Sequence, residues 1–213
     1  MDADYMDTNN RPRLILASRS PRRRQLLEEA GYRLTVVPPS ESAECGVCSG
    51  ENPAQLVARL AYQKAADVAR RLSEGLVLGC DTVAECDGQI LGKPEDEGHA
   101  RRMLEALSGR RHRVFSGLCL WRLPSKEPLL RVDVTTLRMD PLTPEQLDEY
   151  LRSGAWEGKA GAFGYQDRLG WVHVVEGSET NVVGLPMELL AEMLAEMLNV
   201  WEQLPPEADR PGV

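Results

Sequence analysis

The chain is poor in aromatic residues, which fill 5% of its 213 positions, and it has only three histidines. It also has no long uninterrupted apolar run. With so few aromatics, the 42% hydrophobic content is mostly aliphatic, enough for one sizeable core or two small lobes that share a sheet. No stretch approaches the roughly 20 apolar residues of a membrane-spanning helix. The opening "MDADYMDTNN" has neither the basic region nor the apolar stretch of a secretory leader. A cytoplasmic protein with no membrane partner is therefore expected. The five cysteines are odd in number and fit free thiols better than a disulfide framework. Cys45 and Cys48 have the spacing of half a zinc site, with Cys80 and Cys86 as conceivable further ligands. No second short-spaced pair exists, however, and His99 and His173 give no metal spacing.

Basic charge is scarce as well, 25 Lys and Arg against 33 Asp and Glu for a net −8, and it is unevenly spread. Residues 11–24 hold six arginines and no acid. One basic patch on an acidic chain argues against general nucleic-acid binding, which draws on many dispersed phosphate contacts. It suits a small polyanion instead. Within the patch, "SRSPRRRQLLEEAG" reads as a helix over 21–30, capped by Ser20, with Pro21 at its first position and Gly31 as its stop. Arg22, Arg23 and Arg24 then crowd the first turn, where the macrodipole is positive and each cation costs on the order of 0.3–1 kcal/mol. An Arg24–Glu28 pair on a solvated face returns only about 0.2–0.5 kcal/mol. An anion site made of first-turn amides, the Ser18 and Ser20 hydroxyls and guanidinium groups explains the cluster better.

The rest of the chain alternates strands and helices. Strands are expected over 13–17 and 32–37, then a helix over 53–73 opened by Asn52 and Pro53. An apolar strand over 76–80 and a hairpin at Asp87-Gly88 follow, then a helix over 96–107 and strands over 112–122 and 129–138. A capped helix over 143–154, a strand over 171–176 and a final helix from Pro186 to about 200 complete an α/β pattern. The organisation expected is a flexible N-terminus (1–11), one catalytic domain (12–200) and a disordered tail (201–213). Asp81 in "GCDTV", at the end of its apolar strand, suits either a turn cap or a carboxylate that holds a divalent ion or activates water. Lys93 in "GKP" is a point charge on a restrained backbone, fit for phosphate or for an ordinary loop. In "EGKAGAFGYQD", Gly158, Gly161 and Gly164 allow a flat ligand close to the backbone, and Lys159 and Gln166 supply polar contacts. A plain glycine-rich loop is equally compatible.

Taken in order, "LASRSPRRRQLL", "CDTVAECDGQILGKPED", "LSGRRHRVFSG", "GKAGAFGYQD" and "NVVGLP" resemble the Maf family of nucleoside triphosphate pyrophosphatases over residues 13–198. The resemblance implies an elongated α/β mixed-sheet fold of two lobes with a central cleft, related to the inosine triphosphate pyrophosphatases. It implies hydrolysis of a nucleoside triphosphate between the α and β phosphates, with a divalent cation (Mg2+ or Mn2+), by a homodimer. Ser18, Arg22 and Arg23 then match the family's phosphate-binding turn, Lys64 and Lys93 its phosphate-facing lysines, and Asp81 its catalytic acid residue and metal ligand. Members acting on dTTP and UTP carry arginine, threonine and glutamine where this chain has Arg22, Thr82 and Gln166; members preferring 7-methyl-GTP differ there. The family frames that glutamine with isoleucine and glycine, this chain with Tyr165 and Asp167. A family glutamate between the second strand and the long helix corresponds to Glu41 or Glu44; Glu44 is favoured here as a metal ligand, against a solvated loop acid. The resemblance carries one alternative outside enzymology, a nucleotide-binding regulator of septum formation with little turnover.

Overall fold

The computed structural model describes residues 12–44, 50–124, 127–167 and 169–202. The expected flexible N-terminus, the tail beyond Glu202 and the Cys45–Cys48 pair lie outside the described residues. In chain order the elements are β1 (Leu14–Ala17), α1 (Pro21–Glu29), β2 (Leu34–Val36), α2 (Pro53–Ala69), β3 (Gly75–Cys86), β4 (Gln89–Leu91), α3 (Glu97–Leu107), β5 (Arg111–Leu123), β6 (Leu129–Met139), α4 (Pro144–Arg152), β7 (Val172–Glu176), α5 (Glu179–Val183) and α6 (Met187–Glu202). The strands form one seven-stranded mixed sheet in the order β2-β1-β3-β5-β6-β7, with β4 added on β3. β1 runs parallel to both of its neighbours, and the other pairings are antiparallel. Among the described residues no helix is long and apolar enough to cross a membrane.

Helix starts follow the local chemistry of the chain. Ser20 accepts from the Arg23 amide at the head of α1, and Pro21 occupies the first position. α2 and α4 each open on a reciprocal capping box, Asn52 with Gln55 and Thr143 with Gln146, which satisfies two otherwise orphaned backbone donors. Gly31 follows the end of α1 at φ +79°, where glycine carries no steric cost. α2 ends at Ala69, earlier than the apolar spacing suggests. The short helix α5 and the 3-10 turns Ala160–Ala162 and Tyr165–Asp167 have no helical periodicity to announce them.

One expectation is overturned with a consequence for function. The apolar run stops at Cys80, but β3 continues to Cys86, so Asp81 lies in mid-strand rather than at a strand end. What stops there is the neighbouring strand. β1 pairs with β3 as far as Ala17 opposite Gly79, and β4 pairs with it only from Ala84 opposite Leu91. Between these two registers, residues 80–83 of β3 form a gap in the sheet edge. On its other side β3 stays paired to β5, with Asp81 opposite Gly117 and Thr82 opposite Ser116.

The two faces of the sheet are covered differently. On one face α2 packs directly on the strands, burying Val57, Ala61, Ala65 and Val68 with Val77, Val83, Phe115 and Cys119. The contact is closest at Gly79 and Gly117, where an added Cβ would collide with the carbonyl oxygens of Ala61 and Val57. On the opposite face the core divides. One cluster joins Leu14, Leu16, Leu27, Leu78, Leu118 and Leu190 under α1 and α6. The other joins Ala84, Leu104, Val114, Leu137, Leu151 and Phe163 under α3 and α4. These are the two expected lobes, and the sheet-edge gap lies between them.

Candidate active site

A cleft of about 450 Å3 opens at that gap. Its lining includes Asp81 and all seven residues expected to bind substrate: Ser18, Arg22, Arg23, Lys64, Thr82, Lys93 and Gln166. They come from five separate parts of the chain. Successive residues of a strand point to opposite faces, so Asp81 turns toward α2 and Thr82 toward Gly184 and α1. The two reach one cleft because the sheet is interrupted beside them. The glycine-mediated approach of α2 delivers Lys64, whose Nζ donates to Asp81 Oδ1 at 2.6 Å. Both side chains are shielded, 8% and 14% exposed.

The arginine cluster divides between two roles. Arg24 is exposed and pairs with Glu28 at 2.7 Å, as helical spacing predicts. Arg23 is buried and ties three segments together: Nε donates to the Gly184 carbonyl (2.8 Å), Nη1 to Ser18 Oγ (3.2 Å) and Nη2 to Thr82 Oγ1 (3.1 Å). Arg22 spans the cleft, donating through Nη2 to the Gly158 carbonyl at 2.9 Å. Burial and the neighbouring Arg23 both lower the pKa of Arg22. The free protein thus holds this cation where it is under-solvated and repelled, and an anion in the cleft relieves both penalties.

The cap satisfies the first-turn amides of α1 more fully than expected. The Arg23 amide bonds to Ser20 Oγ, the Arg24 amide to the Ser20 carbonyl and the Ser20 amide to Ser18 Oγ. Side chains therefore carry most of the positive character of this corner. Ser18 Oγ already accepts two bonds, from Ser20 and Arg23, which leaves its hydroxyl hydrogen to donate. The lining as a whole has six cationic side chains (Arg19, Arg22, Arg23, Lys64, Lys93, Lys159) against two acids, Asp81 and Glu157. In a chain of net charge −8, this is a focused positive site.

The glycine-rich segment forms the opposite wall. Gly161 donates to the Gly92 carbonyl at 3.0 Å, fixing the wall to the residue before Lys93. Gln166 is exposed on its 3-10 turn and lines the cleft. Lys159 does not simply offer a polar contact; it is buried and paired with Asp167. Two further groups carry no signal in the sequence. The Gly184 carbonyl, in "NVVGLP", accepts from Arg23, from Thr82 Oγ1 (3.2 Å) and from Cys80 Sγ (3.4 Å). Ser116, in "FSG", is fully buried with its Oγ 2.8 Å from Thr82 Oγ1. Both lie in quoted motifs, but nothing in their residue types shows that they orient Arg23 and Thr82.

Cys80, Cys86 and Cys119 are buried free thiols, as expected, and burial pushes all three thiol pKa values up. Among the described residues no three His, Cys, Asp or Glu side chains converge on a metal cage. The site still presents the Asp81 carboxylate. Mg2+-type ions are commonly held by one or two carboxylates and completed by water and substrate phosphates, so the donor set fits an ion that arrives with a nucleotide. Glu41 is exposed on a 3-10 turn before α2 and does not line the cleft. The side chain of Glu44 lies outside the described residues.

A family model described as Maf-like protein matches residues 13–197. A relative from Rhodopirellula baltica described as dTTP/UTP pyrophosphatase is 58% identical over 182 residues, 85% of this chain and 80% of its own. Another of the same description, from Carboxydothermus hydrogenoformans, is 40% identical over 86% of this chain and 98% of its own. Among solved structures the Staphylococcus aureus Ham1 protein superposes with a TM-score of 0.51 at 15% identity, over 87% of this chain and 99% of that one. That last likeness is one of fold.

Proposed function

The chain belongs to the Maf family, and from that premise we propose that it hydrolyses dTTP and UTP between the α and β phosphates, releasing the monophosphate and pyrophosphate. The observation that carries this reading is the Lys64–Asp81 pair set into a cleft otherwise dominated by cations. Cations alone would serve a nucleotide-binding protein without turnover. A carboxylate held against a polyanion weakens binding and makes sense as a base. No observation in the cleft favours the 7-methyl-GTP preference or the regulatory alternative.

The residues divide the work. Arg22, Arg23, Lys93 and the Ser18 hydroxyl take the triphosphate, and positioning and charge stabilisation supply most of the acceleration in phosphoryl transfer. A water aligned by the Asp81 carboxylate attacks the α-phosphorus and gives up its proton there. The bond from the α-phosphorus to the bridging oxygen breaks, and the charge on departing pyrophosphate meets the surrounding cations. A magnesium or manganese ion, held by Asp81 with Glu44 as a second proposed ligand, supplies further charge neutralisation when bound. Gln166, on the opposite wall, takes the base, since a carboxamide both donates and accepts, as the edge of thymine or uracil requires; with Arg22 and Thr82 it completes the trio that the family resemblance links to dTTP and UTP. Cytoplasmic residence belongs to the same reading, and the homodimer rests on the family resemblance.

The test is a panel of nucleoside triphosphates with magnesium or manganese, scored by pyrophosphate release. Preferential release from dTTP and UTP is expected. Preference for a purine overturns the base assignment, and no release from any nucleotide overturns the activity.

A further inference from the structure

Gln166 sits between the two residues at which this chain departs from the family's usual frame, and both are anchored. The Tyr165 hydroxyl donates to Glu179 Oε1 at 2.8 Å, fixing one side of the turn to the start of α5. On the other side Asp167 Oδ2 accepts from the Tyr150 hydroxyl of α4 at 3.1 Å and from the ammonium of Lys159. The Asp167 amide closes the turn on the Gly164 carbonyl at 3.2 Å. Gly164 is packed against the ion pair so closely that an added Cβ would strike both Lys159 Nζ and Asp167 Oδ2. Tyr150 and Lys159 are buried, whereas Gln166 between the two anchors is exposed to the cleft.

We infer that Tyr165 and Asp167 are positioning residues for nucleobase recognition, holding the turn so that the Gln166 carboxamide is aimed before the nucleotide arrives. The inference rests on the reading of Gln166 as a base contact. Pinning a turn on both sides of one exposed polar side chain reduces the ordering left to do on binding. The Tyr165 pin carries no charge and leaves the phosphate end alone; Asp167 also acts on Arg22 and Lys159, so its effect on the base is read as the advantage of the nucleotide over triphosphate. Loss of a pin therefore weakens recognition of the base selectively.

Two probes separate the ends of the cleft: α,β-methylene dTTP, which carries the base, and inorganic triphosphate, which does not. Their dissociation constants are measured by titration calorimetry with magnesium for the parent, Gln166→Ala, Asp167→Asn and Tyr165→Phe. The advantage of the nucleotide over triphosphate is expected to fall about three- to tenfold in each pin variant, the scale of ordering one side chain, and at least as far in Gln166→Ala. Should Gln166→Ala reduce the advantage while both pin variants leave it within twofold, the inference fails and the base contact stands. A parallel loss of affinity for both probes marks a merely structural role and also overturns it. If Gln166→Ala leaves the advantage unchanged, the base contact fails and the inference with it, whereas the proposed activity stands or falls separately on pyrophosphate release by the parent. Tyr165→Phe removes one surface hydroxyl, so the test survives even if Asp167→Asn does not fold.

Discussion

Replacing Asp81 with asparagine separates catalysis from binding more cleanly than any other change in the cleft. Asparagine keeps the shape of the side chain and its Oδ1 still accepts from Lys64, now 2.6 Å from the aspartate oxygen; little repacking is expected. The cleft gains one unit of positive charge. A unit charge about 5 Å from one phosphate charge contributes about 1 kcal/mol in a water-like medium and about 3 kcal/mol at an effective dielectric of 20. Measured without added divalent metal, which Asp81 is proposed to hold, nucleotide affinity should therefore hold or improve. Turnover should not, because a positioned general base contributes about 100- to 10,000-fold. The expected variant binds α,β-methylene dTTP at least as tightly as the parent while kcat for dTTP falls about a thousandfold. Calorimetry and a coupled pyrophosphate assay read the two quantities on one preparation, with a melting curve to confirm folding. A kcat within tenfold of the parent removes Asp81 from the chemistry. Loss of binding together with turnover makes Asp81 a binding residue and refutes the charge argument.

Arg22→Ala removes a half-buried cation and the bond to Gly158 (2.9 Å). KM for dTTP should rise about ten- to a hundredfold, the worth of hydrogen bonds to a charged group, with a shallower dependence on ionic strength; an unchanged KM refutes the phosphate role. Gly79→Ala places a methyl against the Ala61 carbonyl and Ala65. It should cost about 1–3 kcal/mol in urea denaturation and lower activity through the Lys64 it displaces, and full stability would mean that α2 does not need the glycine. His112 is buried at the edge of Phe163, ring centroids 5.2 Å apart, and burial pushes its pKa down from 6.5 to about 4. The unfolded chain therefore takes up the proton first as the pH falls. The stability involved is fully present above pH 6.5 and is lost progressively toward pH 4, by up to about 3 kcal/mol. His112→Leu should flatten the denaturation free energy over that window relative to the parent, and identical pH slopes would refute the burial argument.

The polar cleft was more legible in the sequence than the geometry that makes it a cleft. The arginine cluster with Ser18 is the conspicuous part, because cations crowded into a positive first helical turn conflict with local stability rules; Asp81, Lys93 and Gln166 keep ordinary readings beside the functional ones until the family resemblance ties them to the same site. Lys64 is not conspicuous; it reads as one more polar position on an amphipathic helix, and the family resemblance alone singled it out. Its role depends on how closely α2 lies on the sheet, which Gly79 and Gly117 decide from strands adjacent in space but about forty residues apart in sequence. The length of β3 is hidden in the sequence for a related reason. Hydrophobicity marks where a strand is covered, and residues 80–83 are strand without a neighbour on one edge. A gap in pairing has no signature in composition. The Gly184 carbonyl and Ser116 were equally silent, since a backbone acceptor and a small hydroxyl are ordinary until a guanidinium is found beside them.

The cations loaded at the head of α1 are tolerable without a ligand because the chain supplies provisional acceptors. Arg23 is held by Ser18, Thr82 and Gly184 and Arg22 by Gly158. These acceptors are neutral, so they orient the guanidinium groups without cancelling their charge; the cleft cations that meet anions, Lys64 with Asp81 and Lys159 with Asp167, stand on other segments. Arg24, which does not face the cleft, is the member of the trio that takes an ordinary carboxylate partner in solvent. Were all three cations merely surface solubilisers, carboxylates would serve each equally well at lower cost, as Glu28 does for Arg24. Neutral acceptors at Arg22 and Arg23 are what preorganised anion binding requires, because a site that had already neutralised them would have to break ion pairs before it could take a phosphate.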